Sequence, residues 1–339
     1  MHGVTRAVAV GMLVGMLGLG AWAEGAKPVQ AEMDRAQRWA AVNFGGIEDG
    51  RGTVPPLPFF SFVYDGRHSS EFLRSWKCEM GLRTDRDGRS LTTVTYTDAK
   101  TKMQVRLDGV RYPDFPTVEW TIHFKYSGNE DSPILSDILA MDTTLKGDEG
   151  AEFTLHRNKG DNCTADSFEP IHEPLPAKAQ IDVANTGGRP TQISFPYFNI
   201  QAGGRGFIVA VSWAGQWRTQ FTRDEGTGLR IRAGQEKTHF LLHPGEEVRG
   251  PMIVVQFYEG TRTRAQNVWR QWMIAHNMPR PGGKLPTLPQ LNACSSHQFG
   301  EMIKADTKSQ IFFIDNYLER GIKLDYWWMD AGWYPCDGN

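Results

Sequence analysis

The fold is decided by the stretch Lys323-Leu-Asp-Tyr-Trp-Trp-Met-Asp-Ala-Gly-Trp-Tyr-Pro335. A short apolar and aromatic run ends on a lone carboxylate, Asp330, and then breaks at Gly332, with Trp333 on the far side. Parallel strands are buried on both faces and read as apolar runs, and barrels place their chemistry at the carboxyl ends of such strands. Aromatic rings around an acid suit sugars, which have apolar faces and hydroxyl rims. The stretch therefore predicts a barrel strand ending in a sugar site; the plainer alternative is a core strand that ends in a turn aspartate.

The residues before this strand complete a strand-helix-strand pattern. A short strand is predicted over residues 290–294 and a helix from about Lys308 to Arg320, with Gly321 at the position of a left-handed cap. The apolar residues predicted to share one face of that helix are Ile311, Ile314 and Leu318. This order is one βαβ unit and predicts the start of a (β/α)₈ barrel. Such a barrel needs roughly 250 residues, so we expect residues 290–339 to be an incomplete barrel and the chain to be the front part of a longer enzyme.

The middle of the chain has a different sequence pattern, in which short β-type runs are separated by turn residues. The clearest runs are Leu91–Thr97, Val118–Tyr126, Gly206–Trp213, Thr238–Leu242 and Pro251–Tyr258. Apolar and polar residues alternate within them, and Gly, Pro, Asp and Asn break them often, as in a half-buried antiparallel sheet. We therefore predict a large antiparallel β-sandwich, or supersandwich, over residues 24–260.

A helix and a connector are predicted between the sandwich and the barrel. Val268, Trp269 and Trp272 have helical spacing within residues 263–278, and residues 279–289 are rich in proline and glycine. Residues 261–289 are therefore predicted to link a sandwich to the start of a catalytic barrel.

The amino terminus resembles a secretory signal peptide. Arg6 precedes an apolar stretch from Ala7 to Trp22 that is short and glycine-rich for a spanning helix, and Ala21-Trp-Ala23 offers a small-residue cleavage site. We predict that residues 1–23 are removed and that the protein is secreted or periplasmic; an uncleaved anchor is the alternative. The chain of 339 residues carries a formal net charge of −2, which gives no reason to expect nucleic acid or, after cleavage, a membrane as a partner.

The four cysteines predict neither a disulfide scaffold nor a metal site. None of them forms a Cys-x-x-Cys pair. Export permits disulfides, and Cys294 and Cys336 each follow a predicted barrel strand. A disulfide between these two residues is therefore a hypothesis.

No metal or cofactor is predicted either. The histidines close to acids, at positions 156, 172, 239 and 243, show no ligand spacing. Gly203, Gly204 and Gly206 lack the strand-before, helix-after context of a dinucleotide loop, and they predict a hairpin turn instead.

The predicted barrel strand resembles the second barrel strand of the α-galactosidases of glycoside hydrolase family 36 (GH36), which ends in Asp-Asp-Gly-Trp. Asp330, Gly332 and Trp333 match this motif, and Ala331 stands where the second Asp is expected. Further motifs match in the same order along the chain: Arg111–Trp120, Thr186–Pro190, Pro196–Phe198, Ser212–Trp217 and Pro244–Glu246. Of the two indoles in the fourth motif, Trp213 and Trp217, either can reach the barrel mouth or fill the core, and core or interdomain packing is favoured.

The resemblance implies an exported retaining exo-glycosidase, an α-galactosidase acting on terminal α-galactosyl residues of oligosaccharides. It implies that Asp330 accepts hydrogen bonds from sugar hydroxyls and that Trp333 forms a wall of the pocket. Asn292 matches the first residue of the family's Asn-Ser-Trp and is a third substrate-binding candidate, while Cys294 replaces the indole. Retention needs two carboxyl groups about 5 to 5.5 Å apart, and by resemblance both lie on later strands, beyond Asn339.

Several alternatives remain open at this point. Ala331 permits a transglycosylase or a hydrolase of another α-linked sugar on the same fold, and the sandwich permits a carbohydrate-binding fragment without catalysis. The resemblance also leads us to expect a homo-oligomer.

Overall fold

The computed structural model describes residues 27–45, 47–48, 53–54, 58–285, 290–294 and 305–329. The chain divides after Met273 into two compact units. We call the residues up to Met273 the sandwich unit and those from Ile274 onward the βαβ unit. Within the described ranges, no helix has both the length and the hydropathy that crossing a bilayer requires.

The sandwich unit consists mainly of antiparallel strands. Its strands are β1 (Ile47–Glu48), β2 (Thr53–Val54), β3 (Ser61–Tyr64), β4 (Arg67–His68), β5 (Lys77–Thr84), β6 (Ser90–Thr97), β7 (Met103–Arg111), β8 (Thr117–Tyr126), β9 (Leu135–Lys146), β10 (Phe153–Asn158), β11 (Pro170–Leu175), β12 (Gln180–Ala184), β13 (Tyr197–Ala202), β14 (Arg205–Ser212), β15 (Trp217–Arg223), β16 (Gly228–Gln235), β17 (His239–Phe240), β18 (Glu247–Arg249) and β19 (Met252–Glu259). The larger sheet has the order β11-β10-β13-β14-β19-β8-β7-β6-β5, with β18 paired to β8. The second sheet has the order β12-β15-β16-β9-β3-β4, with β17 paired to β9. The predicted antiparallel sandwich is confirmed.

The core of this unit lies between the two sheets. Strand β8 buries every second residue, as its sequence alternation predicts, and Trp120 is 1% exposed. The Trp120 indole nitrogen donates to the carbonyl oxygen of Ala140 on β9 at 2.7 Å, which joins the two sheets. Phe198 of the larger sheet meets Phe221 of the second sheet with ring centroids 5.1 Å apart. These contacts bury the aromatic residues that dominate the core.

Two of the predicted local features of the sandwich are confirmed. Gly203 and Gly204 form the two-residue turn between β13 and β14, and Gly203 has φ +67°, a conformation that glycine adopts without steric cost. Trp217 is fully buried in the core, and its indole nitrogen donates to the carbonyl oxygen of Pro190 at 2.7 Å. Trp213 is partly buried and packs against the same core.

Helix α1 (Gln30–Phe44) packs against the sandwich strands through a buried face that includes Ala36, Ala40 and Phe44. Trp39 of this helix stacks on Trp120 with ring centroids 5.1 Å apart. The helix is therefore part of the core of the sandwich unit.

Helix α2 (Arg262–Trp272) confirms the predicted helix after the sandwich. The Thr261 hydroxyl caps it by accepting from the backbone N–H of Arg264 at 3.3 Å. Val268 and Trp272 are buried, as their spacing predicts. A π-helical turn continues the chain over Met273–Asn277.

The βαβ unit contains β20 (Asn292–Ala293), α3 (Thr307–Glu319) and β21 (Tyr326–Trp327). The two strands are parallel, with Asn292 opposite Tyr326 and Ala293 opposite Trp327. The predicted strand-helix-strand unit is therefore confirmed, although each strand is shorter than predicted. The (β/α)₈ barrel to which it would belong stays a prediction.

Helix α3 has both of the termini that its sequence indicates. The Asp306 carboxylate caps the first turn by accepting from the backbone N–H of Ser309 at 2.7 Å, and this hydrogen bond lowers the pKa of Asp306. At the other end, Gly321 has φ +73° and the N–H of Ile322 donates to the carbonyl oxygen of Tyr317 at 2.9 Å.

The apolar face predicted for α3 is not the face that packs in the described residues. Ile311 and Leu318 are 52% and 54% exposed. The helix instead packs Phe313 and Tyr317 against Trp327, with ring centroids 6.4 and 6.2 Å apart. Aromatic rings offer more area than the aliphatic side chains, and the single strand beneath the helix presents an indole to them.

Candidate functional site

The candidate site lies on the βαβ unit, where the two parallel strands end. Parallel pairing brings Asn292 and Tyr326 side by side. Each strand is extended by hydrogen bonds at its ends, since the N–H of Asp325 donates to the carbonyl oxygen of Leu291 and that of Trp328 donates to the carbonyl oxygen of Ala293, both at 2.9 Å. Short as the strands are, their register is therefore fixed on both sides.

Strand alternation separates the aromatic residues of β21 into two faces. Trp327 faces α3, where its indole nitrogen donates to Gln310 Oε1 at 2.8 Å. Gln310 is 6% exposed, so the partly buried indole donor meets a buried acceptor. Tyr326 and Trp328 are 55% and 65% exposed. The hydrogen bond to Gln310 fixes the strand face that leaves these two rings accessible.

An open cavity of about 740 Å³ lies against the strand pair, and Trp327 contributes to its lining as well as to the contact with α3. Its described lining residues are Gln290, Asn292, Tyr326, Trp327, Trp328 and Met329. The Gln290 amide donates to the Tyr326 hydroxyl at 3.1 Å. The cavity thus combines aromatic faces with amide and hydroxyl groups, the surface chemistry that a sugar ring requires.

The described lining of this cavity carries no charged side chain. Neutral amides and a phenol can donate and accept hydrogen bonds, but none of these residues is a carboxylate that could act as nucleophile or acid. The described part of the cavity is therefore suited to binding a neutral polar ring, and catalytic acids would have to come from elsewhere.

Asp325, which precedes β21 in the sequence, has a structural role. Its carboxylate accepts from the backbone N–H of Leu291 at 2.8 Å and so ties the starts of the two strands together. Asp325 therefore acts as a polar residue at the start of its strand.

The structure places only some of the predicted site residues. Asn292 lines the cavity. Asp330, Trp333 and Cys336 lie outside the described residues, so their roles remain predictions. Cys294 is exposed and forms no disulfide with Cys78 or Cys163, and its pairing with Cys336 stays a hypothesis.

Sequence reasoning missed two residues that shape this site. Gln290 lies two residues before β20 and donates to Tyr326, and Gln310 anchors Trp327 from within a helix. The signal available in the sequence was the position of Gln310, one residue before Ile311 of the predicted apolar face. A polar residue there indicated that the packed face of the helix is rotated from the predicted one.

Within the described ranges, no cluster of three or more His, Cys, Asp or Glu side chains could hold a metal ion.

The chain resembles several solved α-galactosidases in structure. The α-galactosidase from Lactobacillus brevis superposes with a TM-score of 0.58 at 13% identity, over 86% of this chain and 40% of that one. The galactosidase domain of the α-galactosidase-sucrose kinase AgaSK gives a TM-score of 0.63 at 12% identity, over 84% of this chain and 40% of that one. The GH36 α-galactosidase AgaA from Geobacillus stearothermophilus, in a form complexed with raffinose, gives 0.59 at 13% identity with coverage of 84% and 40%.

The described chain has the fold of the amino-terminal part of these enzymes. The resemblance to GH36 α-galactosidases seen in the sequence motifs is thus confirmed at the level of fold. The chain spans about 40% of the length of each of these GH36-fold structures. No family model and no curated protein sequence matches it.

Proposed function

We propose that this chain forms the sandwich and the first barrel unit of an exported α-galactosidase-type glycoside hydrolase. The observation that carries the proposal is the neutral aromatic and amide cavity at the ends of β20 and β21, in a chain whose sandwich unit has the fold of GH36 enzymes. A terminal galactose would place its apolar face against Tyr326 or Trp328 and its hydroxyls near Asn292. The raffinose complex of AgaA shows that an enzyme with this fold binds a galactosyl oligosaccharide.

Asp330 supplies the charge that the described lining lacks. It follows Met329, the last described lining residue, in the sequence. A carboxylate accepts hydrogen bonds from two sugar hydroxyls, and charge-assisted hydrogen bonds are roughly twice as strong as neutral ones. Trp333 is proposed as a second aromatic wall.

The proposed chemistry is retaining hydrolysis. One carboxylate attacks the anomeric carbon while a second protonates the leaving oxygen and then activates water. The resemblance assigns both acids to later barrel strands, so we propose that they come from the carboxyl-terminal part of the enzyme. Transfer to a second sugar instead of water is the alternative on the same fold, because Ala331 alters the motif that contacts galactose.

The proposal is tested with the protein expressed from its complete open reading frame. We expect release of galactose from an aryl α-galactoside, with α-galactose as the first product in ¹H NMR because the configuration is retained. Aryl α-glycosides of other sugars, run in parallel, report specificity. Release of another sugar, or none, would refute galactose specificity.

Two matched variants separate a substrate-binding role of Asp330 from a structural one. Asp330→Asn should lower kcat/KM by roughly ten- to a hundredfold, since a charged hydrogen bond contributes about 1.5–3 kcal/mol. Asp315→Asn, on the exposed surface of α3, is the control and should leave kcat/KM unchanged. Equal kinetics in the two variants would return Asp330 to a structural role.

Export is proposed separately from residues 1–23. Mass spectrometry of the protein recovered from its native host should give a mature amino terminus at Glu24. A mass that includes the first 23 residues would contradict cleavage.

A further inference from the structure

A second cavity lies on the sandwich unit, between β10, β11, β13 and α2, with a volume of about 440 Å³. Its charged lining residues are all cations: Arg157, Arg262 and Arg270. No carboxylate is among the residues that line it. The cavity is therefore electropositive, which distinguishes it from the neutral cavity of the βαβ unit.

Arg262 differs from the other two cations in its neighbours, since Arg270 donates to Asn267 Oδ1 at 2.8 Å. Arg157 is occupied by Glu173, which accepts from it at 2.7 and 3.0 Å. Among the described residues, Arg262 has no carboxylate within ion-pair distance, and its polar neighbours are two imidazoles. Its Nη1 lies 3.4 Å from His156 Nδ1 and 3.2 Å from His172 Nε2. A guanidinium that faces neutral groups in a half-buried cavity attracts an anion.

The two histidines limit each other's charge. Their Nδ1 atoms are 2.9 Å apart, across directly paired positions of β10 and β11. One of these atoms must accept while the other donates, so the two imidazoles share one proton at this contact. Burial, and then the charge on Arg262, lower the pKa of His156.

An unsatisfied buried donor also points to a ligand. Asn199 lines the cavity and is 6% exposed. Its side-chain oxygen accepts from the Tyr258 hydroxyl at 2.8 Å, whereas its Nδ2 has no acceptor among the described residues. A buried donor left without an acceptor is costly, and a ligand oxygen would remove that cost.

The remaining walls are aromatic. Tyr197 meets Phe195 edge-on with ring centroids 4.9 Å apart, and it meets Trp269 with centroids 5.7 Å apart. These packed rings form a rigid apolar wall beside the cations. A simple inorganic anion would leave this wall uncovered, whereas a sugar ring would cover it.

We propose that this cavity binds a saccharide that carries an anionic group, a carboxylate or a sulfate. The anionic group pairs with Arg262, a ring or hydroxyl oxygen accepts from Asn199, and the apolar face of the sugar lies against Tyr197 and Trp269. The site lies in the sandwich unit, and the sugar-binding role proposed for the βαβ unit is not required for it.

Equilibrium binding to the intact protein tests this site, with galacturonate and galactose 6-sulfate as anionic probes and galactose as the neutral one. We expect an anionic probe to bind at least about tenfold more tightly than galactose, and Arg262→Gln to remove that advantage. Arg262→Lys should keep part of it. Arg86→Gln, at a side chain that is 94% exposed elsewhere on the sandwich unit, matches the change in charge and should have no effect.

A second measurement reports the site directly. The His156 imidazole faces Arg262 and His172, so a bound anion should raise its pKa, followed through its ring resonances with and without galacturonate. An unchanged His156 titration, or equal binding of galacturonate by the parent protein and Arg262→Gln, would overturn the proposal. Acetate or sulfate binding as tightly as the anionic sugars would overturn its saccharide part.

Discussion

Replacing Glu32 with alanine should detach helix α1 from the sandwich. Glu32 is fully buried, and its carboxylate forms an ion pair with Arg264 of α2. It also accepts from the backbone N–H groups of Glu259 at 2.7 Å and of Val29 at 2.8 Å. One side chain thus joins the first helix, the last strand of the larger sheet and the helix that follows it.

The magnitude follows from what the substitution leaves behind. Removing one partner of a buried ion pair costs about 3–5 kcal/mol, because the other charge stays buried without compensation. The Arg264 side chain is 20% exposed, so water reaches part of its guanidinium. We therefore expect Glu32→Ala to lower the free energy of unfolding by about 3 kcal/mol. Glu32→Gln, which keeps an acceptor of the same shape, should cost less.

Urea denaturation followed by tryptophan fluorescence measures this effect, because Trp39 of α1 stacks on Trp120 of the core. The control is Glu225→Ala. Glu225 pairs with Lys178, but the two side chains are 75% and 74% exposed, and such surface pairs contribute about 0–1 kcal/mol. If Glu32→Ala and Glu225→Ala shift the unfolding free energy equally, the reasoning about burial is refuted.

Three further predictions follow from single contacts. Gly206→Ala should cost about 1–3 kcal/mol of unfolding free energy, because a Cβ there would lie 2.2 Å from a backbone carbonyl oxygen. The control Gly204→Ala should be tolerated, because there is open space around Gly204. Equal urea midpoints for the two variants would contradict this prediction. The pKa of His156 is lowered by burial and then by Arg262, so its contribution to stability is present above about pH 6.5 and is lost as the pH falls through its folded-state pKa. The urea midpoints measured at pH 7.5 and pH 5.5 should therefore differ less in His156→Gln than in the parent protein. An equal difference in the two proteins would exclude His156 as the origin of the pH dependence. Trp328→Ala should raise KM for an aryl α-galactoside while leaving the urea midpoint unchanged, since the ring is 65% exposed. A lowered urea midpoint with an unaltered KM would show that Trp328 contributes to packing and not to substrate binding.

The sandwich was predictable because apolar and polar residues alternate with a period of two along its strands. Strand β8 is predicted within one residue at its start, and it buries its apolar positions as expected. The hairpin turn at Gly203 and Gly204 was equally predictable, because few residues other than glycine adopt a positive φ. Local rules suffice where a segment's own sequence sets both its conformation and its buried face.

Other features depend on contacts that a single segment does not carry. Helix α1 was not predicted, although Ala36, Ala40 and Phe44 recur at the four-residue spacing of a helix face. Its docking depends on Glu32 meeting Arg264, which is distant in sequence. The electropositive cavity of the sandwich unit was missed for the same reason, since Arg262 and the paired histidines come from three separate elements.

The two faces of the strand pair in the βαβ unit have different surroundings. One helix covers one face of a parallel strand pair, and the hydrogen bond from Trp327 to Gln310 determines which face that is. Parallel sheets elsewhere are buried on both faces, and within the described residues Tyr326 and Trp328 are 55% and 65% exposed. The same two rings, with Asn292 beside them, are the groups that a sugar would cover. A saccharide bound at the proposed site would therefore bury apolar surface that the described residues leave open, so the proposed binding predicts a gain in burial that a titration of the intact protein followed by tryptophan fluorescence would detect.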